Sequence, residues 1–202
     1  MKRRKDRSKY VPQLVVRGRS DRDQRGVLTY GSLRLPCALG RSGRRTGKRE
    51  GDGATPIGRF AVRQAFYRAD RLGRPRTRVP LSPLRADDGW CDDPKDRNYN
   101  RYVRHPYPAS AEHLWRTDGL YDLVVVIGHN DKPRVRGRGS AVFIHVAGAG
   151  LAPTAGCIAL RRADLERLMT RLRPGTVVTV LGRDRRGDHK KTARTPKRRA
   201  EF

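Results

Sequence analysis

SAVFIHVAGAGLAPTAGCIAL, residues 140–160, is the stretch from which the fold is read. Ala141 to Val146 are apolar, β-branched or aromatic, and with Ser140 they read as a strand from Ser140 to Val146. Alternation along that strand puts Ala141, Phe143 and His145 on one face. Ala147 to Gly156 is glycine-rich and turn-like, and it delivers the chain to Cys157-Ile158-Ala159-Leu160. Upstream, Leu123 to Ile127 reads as a buried strand, joined to this stretch through a turn at Gly137 and Gly139. Downstream, Leu165, Leu168, Met169 and Leu172 recur at helical spacing with Asp164 near the start, which predicts a helix stopped by Arg173-Pro174-Gly175. Thr176 to Leu181 then reads as a closing strand, and Leu14 to Val16 and Val27 to Leu35 as early ones. Gly40 to Thr55 is a loop, leading through Thr55-Pro56-Ile57-Gly58-Arg59-Phe60 into a strand from Phe60 to Ala65, with Pro56 presetting the turn. The expectation is a mostly β fold with one main helix and no internal repeat.

Residues 66–120 do not fit this pattern. They are rich in Arg, Asp and Pro, with Trp90, Tyr99, Tyr102, Tyr107 and Trp115 scattered through them, and such a long irregular stretch suggests a functional insertion. The formal net charge of +27 is unevenly spread. Residues 1–26 carry ten Lys or Arg against three Asp, and residues 183–202 carry nine against three acids. Blocks of this kind are usually disordered and solvated. The chain therefore divides into a basic, partly disordered segment 1–26, a central domain 27–182 and a basic disordered tail 183–202.

A field of this sign suits an anionic partner, either an envelope polymer or lipid met by the tails or a nucleic acid. No zinc-ligand spacing, helix-turn-helix or aromatic stacking pattern accompanies it, so no specific nucleic acid is expected. No apolar run approaches the ~20 residues of a membrane span, and Met1 to Lys9 lacks the apolar region of a secretory signal. Three cysteines, at 37, 91 and 157, are too few for a disulfide scaffold, and no His/Cys/Asp cluster has metal-ligand spacing. No metal and no organic cofactor are expected.

Cys157 is the candidate nucleophile. Gly156 before it leaves little bulk around the sulfur, and the successive N–H groups of Gly156 and Cys157 suit an oxyanion hole. A thiol becomes a nucleophile as its thiolate, and His145, twelve positions earlier, is the candidate proton acceptor and donor. A cysteine beside Ala and Ile is also the pattern of a small buried hydrophobe, so spacing alone leaves both roles open. His129, at the end of the strand before, can contact substrate or merely close the strand. Arg161 and Arg162 can meet an acidic peptide or remain solvated at a helix start. Trp90, Cys91, Tyr99 and Trp115 can line a groove or fill a core.

Ile144-His145 with Thr154-Ala155-Gly156-Cys157-Ile158-Ala159-Leu160 resembles the His…[Ser/Thr]-x-Gly-Cys signature of the L,D-transpeptidase (YkuD-like) family. Thr55-Pro56-Ile57-Gly58-Arg59-Phe60 is similar to the Thr-Pro-x-Gly-x-Phe turn found early in the same domain. The two motifs occur in the family's order and bracket residues 27–182. The resemblance implies a β-sandwich catalytic domain acting on peptidoglycan stem peptides. Cys157 would form a thioester with the third residue of a tetrapeptide stem and release D-alanine. The acyl group would pass to a stem amine, giving a 3-3 cross-link, or to water, giving an L,D-carboxypeptidase. A backbone carbonyl would orient the histidine, and the substrate would place the enzyme in the periplasm or cell envelope. The sequence departs from the common pattern at Ala155 and Ala159, where the family carries His and Arg, and in its short His-to-Cys interval. Those departures mark a variant subgroup.

Overall fold

The structure, a computed structural model, describes residues 13–182. The basic segments 1–12 and 183–202, and with them the expected contact of the tails with anionic polymer or lipid, lie outside the described residues.

The strands in chain order are β1 (Gln13–Arg17), β2 (Arg25–Tyr30), β3 (Leu33–Ala38), β4 (Arg44–Arg45), β5 (Thr55–Pro56), β6 (Gly58–Tyr67) and β7 (Leu81–Pro83). They continue as β8 (Asp88–Cys91), β9 (Arg101–Arg104), β10 (Ala111–His113), β11 (Leu123–Ile127), β12 (Phe143–Val146), β13 (Ile158–Leu160) and β14 (Val177–Val180), with one helix, α1 (Arg162–Met169), before β14. The fold is mostly β with one helix. Its main sheet runs β11-β12-β13-β3-β2-β1-β14-β6-β7, and β6 also pairs with β11, so eight of the strands form a closed ring. Closure removes the exposed edges that an open sandwich would leave.

The ring is held by a core of Leu14, Val16, Leu28, Leu35, Val125, Ile144, Ile158, Leu160 and Val178, to which α1 adds Leu165, Leu168 and Met169. An isolated helix of eight residues is marginal in water. Burial of each leucine, at about 1.5–3 kcal/mol, is what keeps α1 folded. A second cluster of Phe66, Trp90, Leu114, Tyr121, Val124, Val126, Phe143 and Cys157 covers the other face of β11 and β12. Buried on both faces, β11 has five apolar residues in a row where a half-exposed strand would alternate.

Several expectations are refined. Val27 to Leu35 is a hairpin rather than one strand, because Gly31 takes φ 58° and reverses the chain between Tyr30 and Leu33. Sheet pairing extends before residue 27, since β1 lies between β2 and β14. Ser140 to Val142 is not strand: Ala141 sits at φ 48°, and β12 starts at Phe143. The region 66–120 contains a small antiparallel sheet, β10-β8-β9, packed through Trp90 and Leu114 onto the second cluster. Among the described residues, no helix is long and apolar enough to cross a membrane.

Candidate active site

Parallel pairing of β12 with β13 sets Ile144 opposite Ile158 and His145 opposite Ala159. The two isoleucines point into the main core, so their neighbours Phe143, His145, Cys157 and Ala159 point the other way. Cys157 and His145 are thus diagonal neighbours on one face, one strand apart and two residues along, with Cα atoms about 8 Å apart. The small Ala159 beside them leaves the space over the pair open. Both side chains are buried, 7% and 5% exposed, and both line one cavity of about 550 Å³. That volume suits a short peptide segment.

The Cys157 thiol donates to the Ala141 carbonyl at 3.3 Å, and its sulfur accepts from the Phe143 N–H at 3.3 Å. Burial, and then the charge of Glu112, push the thiol up to about 12, against a smaller opposing pull from the Phe143 N–H and Lys48. His145 Nδ1 lies 2.8 Å from the Val146 carbonyl. A carbonyl only accepts, so Nδ1 carries the proton and Nε2 keeps a lone pair. Burial pushes the imidazole down to about 4. Tyr121 packs edge-on against the ring at 5.2 Å and fixes its plane.

The two sequence motifs meet at the backbone of Cys157. Thr55 Oγ1 donates to the Cys157 carbonyl at 3.2 Å and accepts from the Gly40 N–H at 2.8 Å. Thr154 Oγ1 donates to the same carbonyl at 2.7 Å and accepts from the Gly156 N–H at 3.1 Å. Gly156 itself has φ 140°, and a Cβ there would lie 3.0 Å from the Ala54 carbonyl oxygen and from Lys48 Nζ, so the site requires glycine. Its N–H, expected to serve an oxyanion hole, is instead committed to Thr154.

A profile of the L,D-transpeptidase catalytic domain (YkuD) matches residues 18–180. The chain belongs to that family. L,D-transpeptidase 1 of Mycobacterium tuberculosis is similar at 14% identity and TM-score 0.37, over 85% of this chain and 63% of the other. L,D-transpeptidase 3 of the same organism is similar at 14% identity and TM-score 0.41, over 85% and 61%. The chain thus spans about three fifths of the length of these structures. No curated protein matches it.

Where the L,D-transpeptidase pattern carries His and Arg, Ala155 and Ala159 present only methyl groups to the cavity. Its charged groups come from elsewhere: Arg41, Lys48 and Glu50 from the loop after β3, and Asp92, Glu112 and Arg116 from the region 66–120. Glu112 Oε1 accepts from the Tyr121 hydroxyl at 2.6 Å, and burial raises this carboxyl. Asn100 works one step back from the cavity. Its Oδ1 accepts from the Trp90 indole at 2.9 Å and the Ala141 N–H at 3.2 Å, while Nδ2 donates to the carbonyls of His129 and Asn130. It therefore fixes Ala141, the residue whose carbonyl receives the thiol. Lys48, Asn100 and Glu112 carry no motif, and only their distance-spanning contacts mark them.

Three residues expected to bind substrate are not brought to this cavity. His129 Nε2 is bonded to the Arg138 carbonyl at 2.9 Å, its ring packs edge-on against Phe60 at 5.4 Å, and it lines a separate cavity with Trp90 and Phe143. Arg162 pairs with Asp122, which Arg71 also holds at 3.0 Å. Arg161 is the exposed residue capping α1. β13 ends between Cys157 and these arginines, and the chain has turned away before it reaches them.

Proposed function

We propose that this chain is a peptidoglycan L,D-transpeptidase using Cys157 as nucleophile and His145 as proton acceptor and donor. The observation that carries the reading is the diagonal placement of the two side chains on adjacent parallel strands, facing one cavity. The resting pair is neutral, since burial raises the thiol and lowers the imidazole. A donor stem entering the cavity places its carbonyl carbon against the sulfur. His145 Nε2 takes the thiol proton as the C–S bond forms, and the carbonyl electron pair moves to oxygen, facing the Cys157 N–H. Collapse breaks the C–N bond, and D-alanine leaves with the proton from His145. The thioester then passes to a stem amine, with His145 as base, or to water.

The carboxylates lining the cavity, Glu112 with Asp92 and Glu50, can receive an incoming ammonium beside the Arg116 that faces Glu112 at 4.0 Å, which favours transfer over simple trimming. On this reading the catalytic unit spans 13–182, adding β1 to the expected 27–182, and it works in the cell envelope, where its substrate lies.

The test is mass spectrometry of disaccharide-tetrapeptide muropeptides incubated with the protein, beside Cys157→Ala and His145→Ala. Cysteine-dependent 3-3 dimers are expected. Tripeptide alone would make it a carboxypeptidase, and activity surviving in Cys157→Ala would remove the proposed nucleophile.

A further inference from the structure

Lys48 is the only lysine among the described residues whose side chain is buried, 4% exposed. Burying an ammonium is costly unless it is paired. Asp52 Oδ1 lies 2.8 Å from Nζ, and the Asp52 carboxylate is itself held by the N–H groups of Arg49 and Ala54, both at 2.9 Å. The loop Lys48 to Ala54 is thus wound around one carboxylate whose role is to hold this lysine. The stem of Lys48 passes between two glycines at positive φ. A Cβ on Gly139 would lie 2.8 Å from its Cε, and one on Gly156 would lie 3.0 Å from Nζ. Missing side chains on both sides let the ammonium reach the peptide next to Cys157, in the wall of the same cavity.

An ammonium has three donors, and Asp52 takes one. The Gly156 N–H is committed to Thr154, which leaves a tetrahedral intermediate on Cys157 short of one donor. We propose that Lys48 is a catalytic residue, its Nζ donating to the oxyanion formed when Cys157 attacks an acyl carbonyl. This rests on Cys157 being the nucleophile. As the C–S bond forms, the carbonyl π pair moves to oxygen, which accepts from Lys48 Nζ–H and from the Cys157 N–H. Lys48 keeps its proton throughout. On collapse the pair returns to carbon, and the leaving group departs, a leaving amine taking its proton from His145.

The experiment compares two reactions of the full-length wild type, Lys48→Met, Lys48→Gln and Lys48→Arg. p-Nitrophenyl acetate acylates a thiol through an oxyanion, whereas iodoacetamide alkylates it without one. Loss of one oxyanion donor lowers the rate by about 10²–10³-fold. Lys48→Met is expected to slow acylation about 100-fold at nearly unchanged KM and alkylation less than tenfold, with Lys48→Arg recovering part of the difference. Equal slowing of both reactions, or of neither, would overturn the proposal. If circular dichroism shows Lys48→Met unfolded, Lys48→Gln against Lys48→Arg makes the same comparison, uncharged donor against cation. Wild type that takes the ester through Cys157 but ignores tetrapeptide stems would sink the peptidoglycan reading and leave Lys48 standing. Tetrapeptide turnover unaffected by Lys48→Met would do the reverse. Wild type that neither donor acylates at Cys157 would sink both.

Discussion

Replacing Thr55 by valine tests whether the early Thr-Pro motif acts on the backbone of Cys157. Thr55 is 0% exposed, and its hydroxyl serves two buried groups, receiving the Gly40 N–H and donating to the Cys157 carbonyl. Valine has nearly the same shape, so little cavity forms. The Cys157 carbonyl keeps its bond from Thr154 Oγ1, and losing the Thr55 bond costs about 0.5–1.5 kcal/mol. The Gly40 N–H is left buried without that partner, at about 1–3 kcal/mol. The extra methyl returns up to about 0.8 kcal/mol. Thr55→Val should therefore lose about 2 kcal/mol, a midpoint shift of about 1 M in urea for a slope of about 2 kcal/mol/M. Thr55→Ser keeps both bonds and should lose only about 1 kcal/mol for its missing methyl. Urea unfolding followed by tryptophan fluorescence reads both values. A valine variant within 1 kcal/mol of wild type, or a serine variant as unstable as the valine, would refute the argument that Thr55 anchors Cys157.

Three further outcomes follow from the site. His145 has its folded pKa depressed from 6.5 to about 4, so its neutral form contributes stability that is complete above about pH 6.5. About 3 kcal/mol of it is lost as the pH falls through 4. Wild type should lose that much more than His145→Gln between pH 7 and pH 3.5, and parallel losses would contradict the buried neutral imidazole. Glu112→Gln retains an acceptor for Tyr121 but not the charge. It should cut 3-3 dimer formation about 10- to 100-fold while tripeptide release persists, since a charged hydrogen bond is worth about 1.5–3 kcal/mol. Muropeptide product ratios decide it, and an unchanged ratio would place the acceptor elsewhere. Gly156→Ala forces a Cβ to within 3.0 Å of the Ala54 carbonyl oxygen at φ 140°, and should cost about 1–3 kcal/mol in thermal unfolding and most of the activity. Wild-type stability would show that the turn relaxes freely.

Much of this fold can be read from local pattern. The apolar run of β11, the alternation of β12 and the leucine spacing of α1 each state their own structure, and each lies in the sheet or helix expected of it. Local pattern fails where elements are shorter than its window. β13 has three residues, β10 has three, and the Gly31 reversal splits what reads as one β-rich segment into two strands. At the site, Gly156 and Cys157 adjoin in sequence, and their motif announces them. Lys48 and Glu112 reach the same cavity from distant segments, and Asn100 stands one step behind it, because the ring closes and the small sheet packs over β11. Nearness in sequence also misleads. Arg161 and Arg162 follow Cys157 by only a few residues, yet β13 carries them to the start of α1, where Arg162 serves Asp122.

The resting electrostatics and the layout of the cavity bear on each other. A thiol held near 12 and an imidazole near 4 do not form an ion pair spontaneously at neutral pH, so Cys157 and His145 both rest uncharged. The sulfur donates to Ala141 and accepts from Phe143, two peptides in the segment entering β12, and Asn100 ties the first of them to the small sheet. Glu112, whose charge raises the thiol, stands on β10 of that sheet. Arg116, 4.0 Å from Glu112 Oε1, already offsets part of that charge. The small sheet therefore carries the charge that raises the thiol and lies next to Asn100, which holds Ala141, the residue whose carbonyl accepts from the sulfur.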